Sequence, residues 1–116
     1  MEIDPARLRL LADLETSAGR AAIGELLHAY VNDTRHGLLD LRETAQAGDR
    51  TAMRRLAHKM KGSSAMIGAS HLAGLLAKVE AAAADPAGDT RDAIASAERA
   101  FEAALVELGA WFGEGV

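Results

Sequence analysis

The sequence predicts an all-α fold: an up-down-up-down four-helix bundle with a short additional N-terminal helix. Three observations point there. Of the 116 residues 49% are hydrophobic but only 3% aromatic, so aliphatic side chains must build the core, as they do where helices pack on helices. Apolar residues recur at steps of three and four along most of the chain, the spacing that gathers them on one side of a helix. The connections that the turn signals mark are mostly short, so neighbouring helices run antiparallel.

Each element has its own signals. Asp4 and Pro5 are an N-cap and a first helical residue, opening a short helix to about Glu15. "TSAG" then breaks or bends the chain. From Arg20 to Ala47 the residues Ile23, Leu27, Tyr30, Leu38, Leu41 and Ala45 form one stripe of a long amphipathic helix. Gly48 ends it and Asp49 caps the next. That third segment turns Met53, Leu56, Ala57, Met60, Ser64 and Ile67 inward, and Gly68 stops it. Ser70 is placed to cap a helix whose inward stripe is Leu72, Leu75, Leu76, Val79 and Ala83. "DPAGDT", Asp85 to Thr90, is the strongest turn signal. A last helix follows, with Ile94, Ala97, Phe101, Leu105, Leu108 and Trp111 inward.

Composition bounds the function. The chain has the length of one domain, residues 1–116, with enough residues to bury a core. A formal net charge of -4 argues against a general nucleic-acid binder. Without cysteine there are no disulfides, thiolate metal sites or cysteine nucleophiles. The start "MEIDPARLRLL" lacks the basic and apolar regions of a signal peptide, and no apolar run has the length of a membrane span. The expectation is a cytoplasmic, free-standing protein, monomeric because its outer helix faces are polar.

The third helix carries the chemistry. Away from its apolar stripe, Arg54, His58, Lys61, Gly62 and Ala65 share a face. Lys61 and Gly62 are the i+3 and i+4 neighbours of His58, and the small Gly62 and Ala65 leave a clearing beside the imidazole. Glycine in mid-helix costs roughly 0.5–1 kcal/mol relative to alanine, so its presence asks for a reason. Between Arg50 and Gly62 stand Arg50, Arg54, Arg55, Lys59 and Lys61, with no acid among them. This positive surface would attract an anionic ligand or an acidic partner. A neutral imidazole is a good nucleophile near neutral pH. Phosphoryl transfer then needs mainly positioning and a cation for the equatorial oxygens, which Lys61 could supply. An in-line donor must come close, and Gly62 removes the side chain that would obstruct it.

"LAHKMKGSSAMIGASHLAGLLAKVE" resembles the histidine-containing phosphotransfer domain of bacterial phosphorelays, through Ala57, His58, Lys61, Gly62, Gly68, Leu72 and Leu76. The resemblance covers nearly the whole chain; Met60 departs from it, standing where leucine is commoner. It implies a four-helix bundle whose histidine accepts a phosphoryl group from the receiver aspartate of a hybrid histidine kinase and passes it to a response-regulator receiver. It implies no autonomous catalysis and no resident cofactor, the Mg²⁺ lying on the partner receiver. Lys61 would steady the phosphoryl group. Glu80, where the family has Gln or Glu, would orient the ring and leave Nε2 to attack. Arg54, Arg55, Lys59, Gly62 and Ala65 would meet the partner.

The competing reading is a helical adaptor that binds a receiver or kinase through the same face without phosphate. Intact His58, Lys61 and Gly62 favour the carrier. His28, His36 and His71 are expected to be solvated or half-buried, with no i, i+3 or i, i+4 pairing for a metal. Met53, Met60 and Met66 are expected to be ordinary helix filling.

Overall fold

A computed structural model describes residues 17–112 of the chain, with side-chain environments over 24–108. It contains α1 (Ser17–Gln46), α2 (Arg50–Met66), α3 (Ser70–Ala84) and α4 (Thr90–Phe112), and no strand among the described residues. The expected helix from Asp4 to Glu15 lies outside the described residues, as do the side chains of Ile23 and Trp111. Each helix packs against the next and α4 closes against α1, with no diagonal pairs among the described residues. That is the ring of a four-helix, up-down-up-down bundle.

Two left-handed glycines set the first two reversals. Gly48 has φ +71° and Gly68 φ +86°. At the end of α1, Gly48 N–H bonds Ala45 O at 3.2 Å and Asp49 N–H bonds Thr44 O at 2.9 Å. At the end of α2, Gly68 N–H bonds Ala65 O at 3.1 Å and Ala69 N–H bonds Ser64 O at 2.8 Å. Both are Schellman closures, satisfying carbonyls that a helix end leaves open. Asp49 also caps α2 as expected, its Oδ1 accepting from Ala52 N–H at 3.1 Å.

Two local expectations are corrected. Ser70 does not cap α3: it is the first helical residue, and the cap position is Ala69, which makes no side-chain cap bond. Ala69 is fully buried, and a polar capping side chain there would enter the core. "TSAG" does not break the chain through Gly19, because α1 already begins at Ser17.

The core follows the expected stripes. Leu27, Leu41, Met53, Leu72, Leu76 and Val79 are almost wholly buried, while Leu56, Leu75 and Leu105 pack half-buried at its edge. Met66 departs from helix filling, being 55% exposed. Val31 and Thr34 are buried although neither belonged to the α1 stripe. That stripe is broad because α1 meets α2 on one flank and α4 on the other. Gly37 is buried and admits α2 closely: a Cβ there would run into Met60 Sδ. Tyr30 Oη and Ser64 Oγ bond at 2.7 Å across the α1–α2 contact, and burial pushes the Tyr30 pKa up. On the far side Arg42 forks onto Glu98, at 2.5 and 2.6 Å, joining α1 to α4.

Candidate functional site

The site forms where α2 and α3 lie side by side. His58 occupies an exposed position of α2, its side chain 69% accessible, because Ala57 and Met60 turn the buried stripe away from it. Glu80 projects from the edge of the α3 stripe beside Val79 and is three-quarters covered. The two meet with Nδ1 2.9 Å from Oε2. An ionised carboxylate can only accept, so Nδ1 carries the hydrogen. In the neutral ring Nε2 then keeps its lone pair and faces outward. Glu80 thus engages the Nδ1 side of the ring.

Lys61 joins the same carboxylate from one turn along α2, Nζ donating to Oε1 at 2.8 Å. Each Glu80 oxygen thus holds one partner. The Lys61 hydrogen bond, with His58 as the lesser contributor, lowers the Glu80 carboxyl below its usual 4.5. An ammonium has three donors, so Lys61 retains two for an incoming oxygen while it holds Glu80.

Gly62 faces open space: a Cβ there would meet nothing within 4 Å. It and Ala65 are exposed, so a clearing lies beside the imidazole. This glycine is not kept for helix packing, unlike Gly37.

The basic run divides three ways, which its sequence did not reveal. Arg54 and Arg55 line a shallow groove with His58, Lys61 and Glu80, floored by Ala77, Ala81 and Ala84. Lys59 points elsewhere, into the groove between α1 and α2 beside Asp33, Met60 and Met66. Arg50 is engaged in the fold: its guanidinium donates to Ala82 O at 2.9 Å, Asp85 O at 2.8 Å and Gly88 O at 3.0 Å. The continuous patch from Arg50 to Lys61 is therefore corrected to Arg54, Arg55 and Lys61 around the histidine. Arg50 shares its side of the helix with Arg54 and Lys61 but stands in the first turn, within reach of the segment after α3, whereas Lys59 points well round the axis from Arg54 and Lys61.

Sequence reasoning missed the Arg50 contacts because their partners are backbone carbonyls more than thirty positions away. The Tyr30–Ser64 bond did leave a signal, a hydroxyl within each of two apolar stripes that face each other. His28 and His36 are exposed, the latter with Nδ1 3.0 Å from Asn32 O; His71 is also exposed.

A family model described as Hpt domain matches residues 25–111. No curated protein and no solved structure matches the chain.

Proposed function

Since the chain belongs to the Hpt domain family, whose members carry phosphoryl groups on histidine in phosphorelay signalling and interact with receiver domains, we propose that His58 is the phosphoryl acceptor. The observation that carries the proposal is the ring's arrangement: Nδ1 is engaged by Glu80 at 2.9 Å and the imidazole is exposed beside the open space at Gly62.

Nε2 attacks the phosphorus of a receiver aspartyl phosphate in line. The Nε2–P bond forms as the acyl phosphate P–O bond breaks, and the aspartate carboxylate leaves. The ring becomes an imidazolium whose Nδ1–H already points at Glu80, so the developing charge meets a fixed anion. Lys61 supplies a positive charge to the equatorial oxygens. Onward transfer to a second receiver reverses these steps with another aspartate as acceptor. The receiver contributes the Mg²⁺ and its own active site, and this chain acts as a cytoplasmic carrier without autonomous catalysis. Arg54 and Arg55 attract the acidic receiver surface around the aspartate; Gly62 and Ala65 let it approach.

Phosphotransfer profiling tests the proposal. Labelled receivers from hybrid kinases and from response regulators are incubated with the protein, and rapid exchange with a small subset is expected. A panel in which none exchanges label would leave the adaptor reading in its place.

A further inference from the structure

We propose that Arg50 is a positioning residue, setting Glu80 against His58 by clamping the α3–α4 turn to the start of α2. The inference rests on the reading of His58 as phosphoryl acceptor, and extends the functional machinery to a residue far along the helix from the imidazole.

Arg50 is the first residue of α2, directly after its Asp49 cap. One guanidinium nitrogen bonds Ala82 O and Asp85 O, and another bonds Gly88 O. Ala82 belongs to the last turn of α3, and its carbonyl also accepts from Asp85 N–H at 3.3 Å. Asp85 and Gly88 are the two ends of the following turn, which is closed by Gly88 N–H on Asp85 O at 2.8 Å. That turn lies close against the helix end, since a Cβ at Gly88 would run into Ala82 O. A planar fork of donors fits such a set of carbonyls, whereas a single ammonium on a flexible stem does not.

The clamp's position is what links it to the site. The α2–α3 hairpin is closed at one end by the three-residue Ile67–Ala69 reversal. Arg50 closes the other end, and His58 and Glu80 face each other between these two attachments. Glu80 lies only two residues from Ala82, about 3 Å along a rigid helix axis. Its two oxygens must also serve His58 at 2.9 Å and Lys61 at 2.8 Å together. A shift of the α3 end along its axis would draw the carboxylate away from one of these two partners. Met53, Ala57, Leu76 and Val79 fill the core up to the level of Glu80, but beyond it α3 carries only alanines, Ala81 to Ala84, whose short side chains do little to lock its end against α2. Arg50 supplies that lock.

Two readouts on the full chain test this. The ¹⁵N resonances of the His58 ring report its tautomer. Labelling by phosphoramidate, a small donor whose P–N bond breaks with loss of ammonia as Nε2–P forms, reports ring reactivity without a docking partner. Arg50→Ala should convert His58 from Nδ1–H to a tautomer mixture and slow labelling roughly tenfold. Arg50→Lys should not restore either. Gly88→Ala, which pushes the turn away with Arg50 intact, should reproduce both effects and decides the matter should the Arg50 variants not fold. Arg42→Ala, which breaks the α1–α4 ion pair instead, should leave both readouts unchanged. A wild-type tautomer and rate in Arg50→Ala, or in Gly88→Ala, would reduce Arg50 to a structural cap. Full rescue by lysine would replace the clamp with a simple charge effect. A wild-type chain that takes no label would overturn the reading of His58, while the tautomer measurement would still report on the clamp.

Discussion

At the scale of single residues, the site consists of one exposed imidazole, one shared carboxylate and one missing side chain. Gly62 breaks a propensity rule where nothing in the fold requires it to. Gly62→Ala should therefore stabilise the protein by about 0.5–1 kcal/mol, and Gly62→Gln should also fold, because the new atoms enter open space. Both should slow transfer from a receiver, Gln more than Ala. Melting curves and transfer rates would then move in opposite directions, as expected where function departs from local preference. Gly37→Ala provides the contrast, since its methyl meets Met60 in the core and should not give the same gain. Glu80 makes a prediction about pH. A carboxyl whose folded pKa lies below its unfolded value stabilises the fold above that unfolded value, and this is lost as pH falls through the folded one. Glu80 is such a group, held low chiefly by Lys61. The Tm difference between wild type and Glu80→Gln should be constant above about pH 5 and close below it. Transfer at neutral pH should survive Glu80→Gln, which can still accept from Nδ1–H, better than Glu80→Ala, which cannot.

At the scale of elements, helix ends and inward stripes were legible because each depends on neighbours in sequence. Gly48, Gly68 and Asp49 stand where their local chemistry put them, with the positive φ and cap bond that glycine and aspartate supply. Ser70 was misread because tertiary burial of the preceding Ala69 outweighed a local cap preference. Contacts between elements were less legible. The Tyr30–Ser64 bond spans 34 positions and joins α1 to α2 behind the site. Tyr30→Phe should cost about 1–2 kcal/mol, because it leaves the wholly buried Ser64 hydroxyl without a partner. Adding Ser64→Ala should recover part of that loss, and denaturant titrations of the two single variants and the double variant measure the coupling.

At the scale of the whole molecule, a net-acidic chain gathers Arg54, Arg55 and Lys61 around one imidazole. The sequence showed the excess of positive charge on this helix but not its division between two grooves and the α3–α4 turn, which depends on where α1 and α3 lie. If the groove cations steer an acidic receiver, association should slow as salt rises toward physiological strength. Reversing Arg54 and Arg55 to Glu should flatten that dependence, whereas Lys59→Glu, which acts on the other groove, should change it less; stopped-flow association rates across salt concentrations separate the two. If the bundle presents His58 to a receiver, the transferred phosphate must be found on that residue. After incubation with a phosphorylated receiver domain, the protein should carry a single acid-labile, alkali-stable phosphate on His58, and His58→Gln should carry none while melting as the wild type does. Label that persists in His58→Gln, or that maps to His28, His36 or His71, would overturn His58 as the acceptor.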